Sequence, residues 1–227
     1  MRGHIVAMGG GGFLSGDPAS PLDDLMLELA GVTKPHVVFL PTATGDADRA
    51  VEAFQRGWSA RPCTTDVAYT FGVPERPAEQ VGAADVVIVA GGNTANMLAI
   101  WRLHGVDKAL RDRWESGAVL GGVSAGANCW FEACVTDSFS VELDGLPDGL
   151  GFLGGSYCPH FDGEERRRPV YARLLADGFP PGVACDDGAA AVYRGTDLVE
   201  VVADRRGALG YHASTSGFAP IETRLLR

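Results

Sequence analysis

The run Ala118-Val119-Leu120-Gly121-Gly122-Val123-Ser124-Ala125-Gly126-Ala127-Asn128 decides the reading of this chain. An apolar stretch, apt for a buried strand, gives way at Gly122–Gly126 to a G-x-S-x-G sequence and then to a plausible helix through Trp130. Glycines on either side of a serine relieve crowding where a strand turns sharply into a helix. Such a turn lifts the hydroxyl above the carboxyl edge of the sheet, which is the context of a nucleophile elbow. The Ala125 N–H, at the start of the helix, is placed to face negative charge near Ser124.

Upstream, short apolar strands alternate with amphipathic helices. The expected strands are 4–8, 36–40, 65–69, 85–90 and 118–123. Runs such as Val86-Val87-Ile88-Val89 are apolar on both faces, as strands buried between two helix layers must be. Ser20, Pro21, Asp23 and Asp24 read as a helix start and Gly31 as its end. Further helices are expected over 47–56, 94–103 and 107–115. This order predicts an open, mostly parallel α/β sheet with right-handed crossovers and helices on both faces. Residues 137–170, rich in Gly, Pro and Asp, read as long functional loops at one sheet edge. Segments 189–193 and 198–202 read as a late β-hairpin. With no repeat or linker in view, one domain over residues 1–227 is expected.

Composition narrows the function. The formal charge is −10, and the only basic block is Arg166-Arg167-Arg168, so no nucleic-acid partner is expected. No apolar run approaches bilayer length, so neither is a membrane. Five scattered cysteines without a C-x-x-C pair argue against a disulfide scaffold or zinc site and fit a reducing, cytoplasmic setting. Gly9–Gly12 lacks both the dinucleotide spacing and the Gly-Lys-Ser/Thr of a phosphate loop, and reads as a wall of the active edge. No cofactor and no metal are expected, and a homodimer is compatible with the sequence.

Gly91-Gly92-Asn93-Thr94 also leaves a buried strand and enters a helix, on the same sheet edge as Ser124. Its glycines let backbone N–H groups come close to a developing oxyanion, so Gly91 and Gly92 join Ala125 as oxyanion-hole candidates. Asn93 or Thr94 reads as the cap of the next helix, and Asn93 is also a candidate substrate contact. Among the five histidines, His4 and His36 fall at the wrong ends of strands, His104 ends a helix and His212 lies in the tail. His160, in the loop-rich half, is the base by elimination.

The glycine loop Gly91–Thr94, the elbow Gly122–Gly126 with Ala127-Asn128, and Pro159-His160-Phe161 together resemble the peptidase E family. Its members are aspartyl dipeptidases, with cyanophycinases as more distant relatives. The resemblance implies a flavodoxin-like or class I glutamine amidotransferase-like fold, Ser124 as nucleophile, His160 as base, and an oxyanion hole from Gly92 and Ala125. It offers two acidic positions for a triad, matching Asp187 and Asp137. Asp187 is favoured because it follows the strand-like segment 182–185, with Asp137 and Glu132 as alternatives. An arginine in Gly163-Glu164-Glu165-Arg166, or Arg167 beside it, is implied to grip a substrate aspartyl carboxylate. That segment stands closer to His160 than in aspartyl dipeptidases, which places strict Asp preference in question. The expected activity is serine-peptidase hydrolysis of short peptides with a free N-terminus, through an acyl-enzyme on Ser124. The alternatives are a cyanophycinase-like β-aspartyl peptidase, an esterase, and an inactive small-molecule-binding domain on the same fold.

Overall fold

A computed structural model describes residues 2–17, 19–73 and 75–227. The first half alternates as the apolar periodicity demands. Strand β1 (His4–Met8) is followed by α1 (Pro21–Ala30), β2 (His36–Leu40), α2 (Asp48–Trp58) and β3 (Thr64–Val67). Next come α3 (Pro77–Ala83), β4 (Val86–Val89), α4 (Thr94–His104), α5 (Val106–Glu115), β5 (Val119–Val123) and the single turn α6 (Ala125–Asn128). The expected elements are all present, with ends shifted by one or two residues. β6 (Phe131–Thr136), β7 (Asp144–Leu146), β8 (Leu153–Cys158), α7 (Arg167–Ala176) and β9 (Gly182–Cys185) come next. The chain closes with β10 (Ala189–Arg194), β11 (Asp197–Ala203), β12 (Gly210–Ser214), β13 (Gly217–Ile221) and β14 (Thr223–Leu225).

Eight strands form one sheet in the order β14-β11-β10-β1-β5-β4-β2-β3. Its part from β1 to β3 is parallel, and the expected hairpin β10–β11 adds antiparallel strands beside β1. Within it β3-β2-β4-β5 runs as a flavodoxin-type 2-1-3-4 sheet does. Side chains alternate in direction along each strand, so both faces are apolar. Val6, Met8, Val37, Phe39 and Ile88 pack against Leu22 and Met26 of α1 and Phe54 and Trp58 of α2. Ile5, Ala7, Val38, Val87 and Leu120 face Trp101 of α4 and Trp114 of α5 on the other side. Each fully buried side chain of this kind contributes roughly 1.5–3 kcal/mol.

The reading of residues 137–170 as loops is corrected here. They contain β7 and β8 and lead into α7, as part of a second, six-stranded sheet ordered β13-β12-β9-β8-β6-β7. Its Phe131 and Tyr157 belong to the same core as Ile5 and Ala7. The Tyr157 hydroxyl donates to Ala7 O at 2.9 Å, and the Phe131 ring meets Tyr193 of β10 edge-on. The second sheet thereby packs on the first beside β1. Gly154 and Gly155 interrupt the period-two signal of β8, which is why that strand reads as loop. Among the described residues, no helix is long and apolar enough to cross a membrane.

The first turn of α1 differs in detail from its sequence reading. Ser20 stands at the cap position but makes no side-chain capping bond. Asp23 instead turns inward, fully buried, and its Oδ2 accepts the Phe13 N–H at 2.9 Å, with Arg61 at 3.7 Å. Its Oδ1 has no hydrogen-bond partner among the described residues. Burial pushes the Asp23 carboxyl up to about 7, against the pull of Arg61 and the Phe13 N–H. The folded chain therefore holds a proton here that the unfolded chain releases at the ordinary carboxylate pKa. Stability contributed below about pH 4 is lost as pH rises to about 7, by roughly 1.4 kcal/mol per pH unit. Asp23→Asn is expected to flatten this dependence in denaturant melts across that window. An unchanged slope would assign the dependence to other groups.

Candidate active site

Strands β1, β4 and β5 are parallel neighbours, so Gly9–Gly12, Gly91–Asn93 and Ser124 all leave the same sheet edge. Ser124 has φ 56° and ψ −113°, a region that non-glycine residues rarely occupy. Holding it there costs on the order of 1–3 kcal/mol, which the surroundings must offset. Two glycines make the turn sterically possible. A Cβ on Gly122 would lie 2.2 Å from Gly126 O, and one on Gly126 would lie 2.4 Å from Val89 O. The turn is then fixed by hydrogen bonds. Ser124 N–H donates to Met8 O at 3.1 Å, while Ala127 and Asn128 N–H donate to Ser124 O at 2.9 and 2.8 Å.

Gly91 sits against this turn, where its Cβ would stand 3.4 Å from Ser124 Cβ. Gly92 adopts φ 137° with its α-carbon pressed onto Ala43 O, leaving 2.2 Å for any Cβ. Asn93 N–H donates to that same carbonyl at 2.8 Å. Among the described residues, no loop or cap hydrogen bond takes up the Gly92 or Ala125 N–H.

The second sheet delivers the other two groups. His160 follows β8 with φ 52°, and Asp187 follows β9. His160 Nδ1 and Asp187 Oδ1 are 2.6 Å apart. The Asp187 carboxylate is closely walled: a Cβ on Gly10 would lie 2.0 Å from Oδ1, and one on Gly163 would lie 2.3 Å from Oδ2. Asp187 N–H donates to Asp162 Oδ1 at 2.8 Å, and Gly188 N–H donates to Gly10 O at 3.0 Å. The hydrogen bond with His160, assisted by Arg205 and Arg167, holds the Asp187 carboxyl below the ordinary carboxylate range. Neighbouring Asp186 is turned away: its Oδ2 accepts from Leu209 N–H and Tyr211 Oη at 3.0 and 3.3 Å, and burial raises its pKa.

An open cavity of about 630 Å³ brings these parts together. Ser124, His160 and Asp187 line it with Gly91, Gly92 and Val123, and with Gly10 and Gly11 of the first glycine loop. Leu14, Ser15, Thr44, Gly188 and Arg205 complete the wall. Arg205 is a charged residue to which the sequence reading assigns no role. Its Nη2 donates to Asp162 Oδ2 at 2.5 Å, so one carboxylate spans Asp187 N–H and the Arg205 guanidinium.

Other residues singled out in the sequence lie outside this wall. Asp137 is exposed after β6, and Glu132 accepts the Gly155 N–H at 2.7 Å. Asn93 caps α4 through Oδ1 to Asn96 N–H at 2.8 Å, and its Nδ2 donates to Ser138 O at 2.9 Å. Arg166 reaches Glu142 and Val141 O at the surface, while Arg167 is buried on Glu164 and Val135 O. Ala125 is buried next to Ser124.

Known proteins resemble this chain in sequence and in fold. The model described as Peptidase family S51 matches residues 5–201. The uncharacterized peptidase YgaJ of Bacillus subtilis strain 168 is 42% identical over 210 residues, covering 92% of this chain and 90% of that one. A peptidase E of Shewanella denitrificans is 26% identical over 144 residues, 60% of this chain and 61% of the relative. The crystal structure of a peptidase from an acI-B1 Actinobacterium shares the fold with TM-score 0.75 at 19% identity, over 98% of this chain and 95% of that one. With a family model spanning most of its length, the chain belongs to peptidase family S51 and is a serine-type peptidase.

Proposed function

We propose that the chain hydrolyses short peptides with a free N-terminus, and that Ser124 is the nucleophile. The observation that carries this reading is the strained Ser124 turn, opening on the same cavity as a His160–Asp187 pair 2.6 Å apart. Strain at a single non-glycine residue, held by close backbone contacts, is the mark of a nucleophile elbow. His160 takes the Ser124 proton as Oγ bonds to the scissile carbonyl carbon. Collapse of the tetrahedral intermediate breaks the C–N bond, and His160 passes the proton to the leaving amine. Water, deprotonated by the same imidazole, then releases the acyl group and restores the serine. Gly92 and Ala125 N–H receive the oxyanion, a role favoured by their freedom from other loop or cap bonds. Asp187, anionic because its carboxyl is held low, fixes the His160 tautomer and balances the imidazolium.

Chain order alone leaves Asp137 open, as an esterase would have it. The hydrogen bond from His160 to Asp187 favours the late acid. For an aspartyl side chain in the substrate, Arg205 on the cavity wall is the better-placed cation than Arg166 or Arg167, which are engaged elsewhere. The exposed Arg205–Asp162 pair is weak enough to yield to a substrate carboxylate.

Amine release from unblocked Asp-Xaa, β-Asp-Xaa, Glu-Xaa and neutral dipeptides tests the whole reading. Ser124→Ala is expected to lose about 10⁴-fold or more in kcat. Asp187→Asn is expected to lose about 10³- to 10⁴-fold, and Asp137→Asn less than about two-fold. Full activity in Ser124→Ala would refute the nucleophile. A large loss in Asp137→Asn with Asp187→Asn intact would move the acid. Cleavage confined to the β-linked peptide would favour the cyanophycinase-like alternative.

Arg205→Ala is expected to raise KM for Asp-Xaa by about three- to ten-fold and to leave neutral dipeptides within about two-fold. Equal effects on both would remove Arg205 from substrate recognition.

A further inference from the structure

The cavity over Ser124 has a neighbour at Leu14, Ser15 and Thr44. A second cavity, of about 440 Å³, lies on the other side of Leu14, Ser15 and Thr44, and these three residues line both. Its floor is one face of α2. Arg49, Ala50, Ala53, Arg56 and Gly57 recur there at helical spacing, with Phe13 opposite. A Cβ on Gly57 would lie 2.7 Å from Phe13 Cβ, so glycine is what lets the α2 backbone approach the Phe13–Ser15 turn. The wall is thus apolar between two guanidinium groups set two helical turns apart, about 10 Å along the axis.

The charges of this cavity are unequal in use. Arg56 pairs with Glu52 at 3.7 Å. Arg49 has neither an ion pair nor a hydrogen bond among the described residues. An unpaired cation over apolar wall suits a ligand group that is carboxylate at its tip and aliphatic behind it. A dipeptide spans roughly 7 Å when extended and is accommodated in the cavity over Ser124 alone. A longer peptide would extend past the shared Leu14, Ser15 and Thr44 toward the cavity that Arg49 lines.

We infer that this α2 cavity is a remote peptide subsite, in which Arg49 receives a carboxylate lying beyond the dipeptide that occupies the Ser124 cavity. The carboxylate comes from the C-terminus of a tripeptide or tetrapeptide, or from an acidic side chain at the third position. The inference rests on the peptidase reading for its substrate class, and it makes tri- and tetrapeptides with a free C-terminus or an acidic third residue better ligands than dipeptides.

The test uses calorimetric binding to Ser124→Ala, which needs no turnover, alongside kcat/KM for the wild type. The probes are a dipeptide, its tripeptide extension as free acid and as C-terminal amide, and the amide with Asp at the third residue. The free-acid tripeptide is expected to bind about three- to ten-fold more tightly than its amide. Arg49→Ala should abolish that difference, Arg49→Lys should keep part of it, and dipeptide binding should stay within about two-fold in both. Recovery of affinity by the third-residue Asp in the amide would identify the side chain as a second source. Equal binding of acid, amide and Asp-amide, or insensitivity of the difference to Arg49→Ala, would overturn the subsite. Neither result depends on cleavage: loss of all turnover with the Arg49-dependent preference intact would refute the peptidase reading alone.

Discussion

The backbone of Ser124 is the constraint on which the rest of the site depends. Its φ of 56° is unfavourable for a side chain-bearing residue, and the conformation persists only because the surroundings permit nothing else. Gly122 and Gly126 allow the strand and the following turn to approach within contact distance of each other and of Val89 O. Met8 O then holds the Ser124 N–H from the neighbouring strand. The stability invested in the double-sided apolar sheet thus offsets strain at one residue, which lines the cavity.

Two sheets meet at this point, and each contributes what the other lacks. The parallel sheet gives the serine and the glycine-rich backbone around it. The second sheet gives His160 and Asp187 from the ends of adjacent parallel strands, β8 and β9. Their alignment with Ser124 depends on how the sheets are fastened. The Tyr157 hydroxyl on Ala7 O and the Gly188 N–H on Gly10 O both tie the second sheet to β1. Gly10 has a further duty, since any side chain there would collide with the Asp187 carboxylate. The four-glycine run, which lacks the spacing of a phosphate loop, serves as close-fitting wall.

Much of this was legible in the sequence because it is local. Buried parallel strands show as unbroken apolar runs, and G-x-S-x-G after such a run leaves few other readings. The resemblance carried by Gly91–Thr94, Gly122–Gly126 and Pro159–Phe161 agreed with the family that the comparisons show. What failed depends on contacts between distant segments. β8 was hidden by Gly154 and Gly155, whose lack of side chains erases the alternation and the second of which takes φ 80°, outside the extended region. Arg166 and Arg167 matched a motif by spacing, yet Glu142 and Glu164 engage them away from the cavity. Arg205 carried no signal at all, because its place beside Asp187 is set by Asp162, 43 residues earlier. Arg49 likewise means nothing until α2 is seen to back the Phe13–Ser15 turn.

The central claim is that Ser124 is activated by the His160–Asp187 pair, and covalent trapping tests it most directly. The protein would be treated with a fluorophosphonate that reacts with activated serines, then analysed by intact mass and peptide mapping. The account predicts one adduct per chain, located on Ser124 and formed at least about 100-fold more slowly in Asp187→Asn. A protein that cleaves peptides yet carries no adduct on Ser124, or is labelled at the same rate without Asp187, would contradict it.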